Sequence, residues 1–228
     1  MAPRAKLYIT CVLAAAAAIL LGSFAEWQAT AGPAFWIYLA ASMVAAALKV
    51  TLPGLPNTMS AGFLLLLAAT VQLSQGEVAI IAALSAVVQC VWKPKRRPNE
   101  VQVAFSAATL VISAGFAQAV SRELGEVTKL SVVSQVAVAA FLLYMTNTWL
   151  VATVVSLVEG RAFRTVWQQC HLWAFPYFIC GTILLDLAAA FNATLTWREA
   201  LLLLPLMLLL HVNYRILTGR IGQQDAAM

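Results

Sequence analysis

One carboxylate, Asp186 in Leu184-Leu185-Asp186-Leu187, falls inside an otherwise apolar run. An acid in that setting suits binding of a proton, a cation or a cationic ligand, or a hydrogen bond joining two helices, because an unpaired polar group buried in hydrocarbon is costly. The amides Gln72, Gln89, Gln102, Gln118, Gln135 and Asn147 also sit within or beside apolar runs. They suit either a shared polar cavity or interhelical hydrogen bonds. Asp186, Asn147, Gln89 and Gln102 are the candidate ligand or intramembrane polar residues. Lys49 stands at the end of an apolar run, where its stem can lie along lipid and its ammonium reach the headgroups.

Other chemistries find little support. His171 and His211 are far apart and lack a zinc-binding HExxH spacing, and Cys170-His171 are adjacent rather than spaced as ligands. The four cysteines, Cys11, Cys90, Cys170 and Cys180, show no CxxC pattern and read as packing residues. No glycine-rich phosphate loop, GxSxG elbow or acidic phosphate-transfer motif occurs, so the expectation is a non-enzyme with no cofactor and no metal. Asn192-Ala193-Thr194 matches a glycosylation sequon, a pattern frequent by chance.

The elements that must position these residues are membrane helices. Hydrophobic residues make up 62% of the 228 and charged residues only 10%, well below the roughly 25% charged residues of soluble domains. Apolar runs cover residues 7–25, 35–50, 59–73, 78–92, 101–120, 130–158, 172–191 and 200–217. The fold class expected is an all-α, polytopic membrane bundle of about eight transmembrane helices. The third and fourth runs are short for a span, which takes about 17–25 residues, and suit a thin crossing pair or a re-entrant pair. Residues 1–217 form a single transmembrane domain and 218–228 a short polar tail. Ser23-Phe24-Ala25 resembles a signal-peptide cleavage site, but the apolar run is longer than a typical signal-peptide core and reads as a retained first span.

Orientation follows from the basic knot Lys93-Pro94-Lys95-Arg96-Arg97-Pro98, since short basic loops stay cytoplasmic. The topology-setting residues are Lys93, Lys95, Arg96 and Arg97. Both prolines end the flanking helices. Eight spans put Arg4, Lys6, Lys49, the four knot residues, Arg161, Arg164, Arg215 and Arg220 inside, which is 11 of the 14 basic residues. Arg122, Lys129 and Arg198 fall outside, with 122–129 and 159–169 read as polar loops and both termini cytoplasmic. The net charge of +5 in short loops suits an anionic inner-leaflet surface rather than nucleic acid. Small residues at 14–18, 45–47 and 113–115 allow close helix packing, and no internal repeat of an inverted-half transporter is present.

Leu48-Lys49-Val50-Thr51-Leu52-Pro53-Gly54 and Val91-Trp92-Lys93-Pro94 resemble a multi-span membrane region of bacterial cyclic-di-GMP proteins. Asn147-Thr148, Ser156-Leu157-Val158-Glu159-Gly160-Arg161 and Trp173-Ala174-Phe175-Pro176-Tyr177 extend the likeness to most of the chain. Such regions precede HD-GYP phosphodiesterase or GGDEF diguanylate cyclase domains, whose catalytic residues have no counterpart before Met228. The resemblance implies an inner-membrane sensor or anchoring module without its own catalytic domain. Its partners would be the bilayer, a cytoplasmic signalling protein and a second copy of the chain. A small-molecule transporter, or the membrane substrate-binding subunit of one, is the rival reading, supported by the short third and fourth runs, the Pro53 breaks and Asp186.

Overall fold

The computed structural model describes residues 3–25, 32–51, 58–60, 62–93, 97–129, 131–168, 179–180, 182–183, 185–187 and 212. Most of the seventh and eighth apolar runs, His171, His211, Cys170, Lys95, Arg96, the sequon and the tail lie outside the described residues. Six helices are described: α1 (Pro3–Ala25), α2 (Pro33–Ala47), α3 (Gly62–Gln72), α4 (Gln75–Val91), α5 (Glu100–Thr128) and α6 (Val132–Glu159). Of these, α1, α5 and α6 are long and apolar enough to cross a membrane.

The one departure from helix among these elements is a small hairpin. Strand β1 (Lys49–Thr51) pairs antiparallel with β2 (Thr58–Ser60), Lys49 opposite Ser60 and Thr51 opposite Thr58. The sequence predicts a loop after Thr51, yet β-branched Val50, Thr51 and Thr58 favour extended backbone, and strand pairing satisfies polar groups that would otherwise be unpaired. The hairpin therefore takes the ends of two predicted helical runs.

Two predicted loops turn out to be helical for local reasons. Ser74 caps α4: its hydroxyl accepts from the Glu77 N–H, while the Glu77 carboxylate accepts from the Ser74 N–H at 2.9 Å. This reciprocal box starts α4 at Gln75, so the predicted loop over 74–77 contracts to a tight turn. Likewise α5 runs on through the predicted loop at 122–129, ending at Lys129 with φ 51. No glycine or proline pair breaks it, and a helix need not stop where the hydrocarbon does. The stretch 159–169 is helical in part, over 163–168, after Gly160 ends α6 with φ 69.

Side-chain contacts fix the directions. Tyr8 of α1 lies against Phe105 of α5, and Ile19 of α1 against Gly115, so these two helices run parallel. The Tyr8 hydroxyl donates to the Leu150 carbonyl of α6 at 3.2 Å, which puts the late turns of α6 beside the early turns of α1. Ser60 Oγ donates to Gln89 Oε1 at 3.0 Å, joining the start of the α3 segment to the end of α4. One end of the bundle thus gathers the starts of α1 and α5 and the finishes of α2, α4 and α6. The α3–α4 turn meets α5 between Gly115 and Arg122, about 22–33 Å along that helix at 1.5 Å per residue.

The core centres on α3. Every residue from Gly62 to Thr70 is buried, on all sides of the helix. Phe35 and Tyr38 of α2, Val78, Ile81 and Ala82 of α4, Val111 and Ala114 of α5, and Val136, Ala139 and Leu143 of α6 complete that core. A helix apolar all round belongs inside a bundle. At its start, a side chain on Gly62 would meet Ala46 N, Ser42 O and Ser60 Oγ, each at 3.4 Å. Gly62→Ala is therefore expected to hold stability within about 1 kcal/mol. Gly62→Leu, pressed against α2 backbone, should lower it by about 1–3 kcal/mol, as read by unfolding of the purified protein in detergent.

Candidate functional site: a polar seam around the buried helix

A helix of 11 residues spans about 16 Å, half the roughly 30 Å of membrane hydrocarbon. Its ends consequently fall among side chains, and its last carbonyls need donors. Two donors from α5 meet that need. Gln118 Nε2 donates to the Leu73 carbonyl at 2.7 Å and Arg122 Nη2 to the same oxygen at 2.6 Å. Their i, i+4 spacing puts both on one face of α5. Gln118 is fully buried and Arg122 half-buried. A cation at a helix C-terminus also answers the negative end of the helix dipole.

This node retains polar capacity. Gln118 Oε1 and Gln72 Nε2 are both enclosed and have no hydrogen-bond partner among the described residues. Gln118 Oε1 thus remains as an acceptor on the side chain that meets the shared carbonyl, and Gln72 Nε2 as a donor on the residue before it in the chain. A water molecule or a small polar ligand offering both a donor and an acceptor matches them.

The second node lies at the start of the α3 segment. Ser60 donates to Gln89, and Gly62 lets α2 approach at Ser42 and Ala46. Ser85 stands one turn before Gln89 on α4. Ser42 and Ser85 are buried, yet neither hydroxyl has a hydrogen-bond partner among the described residues. Three other buried hydroxyls bond back to their own helices, Thr70 to Leu67 O at 2.7 Å, Ser113 to Thr109 O at 2.7 Å and Ser121 to Gln118 O at 3.2 Å, while Ser23 also has no hydrogen-bond partner among the described residues. Ser42 and Ser85 depart from that habit, which leaves them available to a small polar guest.

The four candidate polar residues separate. Gln89 belongs to the second node. Gln102 is exposed in the first turn of α5, where its Oε1 accepts the Asn99 N–H at 3.0 Å and closes a capping box; it stands outside the polar interior. Asn147 is half-buried on α6. Asp186 is half-buried in the helical turn 185–187, and its enclosed Oδ1 has no hydrogen-bond partner among the described residues. Of the topology-setting residues, Lys93 and Arg97 are exposed between α4 and α5. Cys11 and Cys180 are exposed and Cys90 half-buried, all as free thiols. Among the described residues no group of three or more His, Cys, Asp or Glu is placed to hold a metal ion.

Sequence reasoning missed Arg122 because it assigned that residue to a loop. The usable signal was Gln118 and Arg122 at helical spacing with no breaker between them. No family model matches the chain, and neither a curated protein nor a solved structure does.

Leu73 O holds two donors, so either alone leaves it partly satisfied. Gln118→Leu and Arg122→Ala should each cost about 1–2 kcal/mol, and the double variant more than their sum. Chemical denaturation of the four proteins in one detergent measures this cycle.

Proposed function

We propose that this chain is an integral membrane sensor or anchor module that relays a membrane or small-ligand signal to a cytoplasmic partner. In this reading it crosses the bacterial inner membrane eight times, α3 and α4 forming a thin crossing pair and two further spans covering 172–191 and 200–217. The resemblance to regions ahead of HD-GYP and GGDEF domains supplies the functional frame. The observation that carries the reading is the enclosure of α3, with its two ends tied to α4 and α5. A shift of this helix bears on α2, α4, α5 and α6 together, because all of them pack around it.

A signal acts only by binding two packings of the bundle with different affinity. The polar atoms at the two nodes that have no hydrogen-bond partner among the described residues give a small polar guest the means to do so. On the cytoplasmic side, in this reading, α6 ends in a turn that folds back on its own helix. Ser156 Oγ donates to the Arg161 carbonyl at 2.7 Å, and Phe163 lies 6.2 Å from Trp149, ring centre to ring centre. That turn carries Arg161 and Arg164, and together with Trp92, Lys93 and Arg97 it makes the surface offered to a partner.

The test is a fusion of a diguanylate cyclase catalytic domain after the last span. Gly62→Leu and Arg122→Ala should each change cyclase output at least twofold at equal membrane abundance. Unchanged output in both, with the fusion active, would overturn the relay.

A transporter reading is favoured by Asp186, whose enclosed oxygen lacks a hydrogen-bond partner among the described residues. It requires solute flux in proteoliposomes that Asp186→Asn reduces at least tenfold. Flux that is absent, or unchanged by this substitution, removes Asp186-dependent transport.

A further inference from the structure

Beyond the polar seam, an open groove of about 620 Å³ lies where α4 ends and α5 begins. Val91, Val103 and Ala104 give it an apolar wall, and Arg97, Pro98 and Glu100 close its other side. Val91 is the last residue of α4, and Val103 and Ala104 belong to the first turns of α5, a helix of membrane-crossing length. The groove therefore opens where hydrocarbon gives way to water. Trp92, beside it, is half exposed, with the Lys93 ammonium 5.9 Å from its ring centre. A tryptophan held this way marks the headgroup level.

We propose that this groove is a binding site for one anionic glycerophospholipid with a hydroxylated headgroup, of the phosphatidylglycerol type. The acyl chain lies on the Val91–Val103–Ala104 wall. The phosphate meets Arg97, an exposed cation, with Glu100 the one carboxylate among the lining residues. Glu100 repels a bare phosphate and accepts hydrogen bonds from headgroup hydroxyls, which selects a glycerol headgroup over phosphate alone. The N–H groups of Asn99, Val101, Gln102 and Val103 take no part, since each is already engaged in the start of α5. An acidic peptide would satisfy the charges and leave the wall facing lipid unused. The site rests on the membrane reading; it shares Arg97 with the surface offered to a partner but needs no relay.

The experiment is native mass spectrometry of the full chain released from detergent, titrated with phosphatidylglycerol or phosphatidylcholine. The expected result is one retained phosphatidylglycerol, bound at least fivefold more tightly than phosphatidylcholine. Arg97→Gln should weaken it roughly fivefold. Ala104→Trp fills the groove, leaves every charge in place, and should abolish the tight site. Equal affinity for both lipids overturns the proposal. So does tight binding that survives Ala104→Trp, which means diffuse attraction to the loop, or equal displacement by soluble glycerol phosphate, which means the wall contributes nothing. Failure of the chain to co-float with liposomes would instead strike the membrane reading itself.

Discussion

The Leu73 carbonyl is where the architecture is decided. Within hydrocarbon a backbone carbonyl has no water to bond, and irregular backbone survives only where protein supplies the partners. A helix as short as α3 ends inside the bundle, so its last carbonyls must be met by side chains from another helix. Gln118 and Arg122 do this, and in doing so fix the height of the α3–α4 turn against α5. The hairpin β1–β2 solves the same problem at the other end by pairing backbone with backbone, and Ser60 ties it to Gln89.

Apolar contact alone would not fix α3. Lipid tails are as apolar as leucine, so burying Leu64 to Leu67 against other helices gains little from the hydrophobic effect. What holds them is close packing between surfaces that fit. Small residues make that fit possible. Gly62 lets α2 backbone approach, and a side chain added at Gly115 would meet Ile19 of α1 at 3.6 Å and the Gln75 amide of α4 at 3.9 Å. Alanines 108, 114 and 117 of α5 are buried along the same helix. The polar nodes choose the register and the small residues permit it.

This division explains what could be read from the sequence. Helical class and membrane character follow from composition and run length, because both are sums over many residues. The six described helices coincide with the first six apolar runs, differing at their ends. Those ends depend on single residues: Ser74 and Glu77 begin α4 earlier, and the missing breaker after Val120 lets α5 continue. The strands of the hairpin were illegible because three-residue strands have too few residues for a period, and their existence depends on a partner several residues away. The site was legible only in part. Gln89 and Gln118 stand out as amides in apolar runs, but which amide meets which partner is a tertiary fact. Gln102 shows the limit: an amide near an apolar run reads the same whether it lines a cavity or caps a helix, and the nearby Asn99 decides it.

The two ends of the bundle are chemically unlike, and this gives the polar seam a direction. At the turn of α3 Arg122 is half-buried and engaged with a carbonyl. At the opposite end the cations are exposed and numerous, with Arg4, Lys6, Lys93, Arg97 and Arg164 all facing outward. A charge held against backbone responds to small displacements, since its hydrogen bonds weaken within tenths of an ångström. Exposed charges respond weakly to displacement and strongly to an anionic surface. In the relay proposed above, a shift of α3 would bear first on the Arg122 hydrogen bond, and the exposed cations would meet the anionic surface. Between them, α5 is the rigid element common to both, carrying Gln118 and Arg122 near its finish and the Asn99–Gln102 cap at its start.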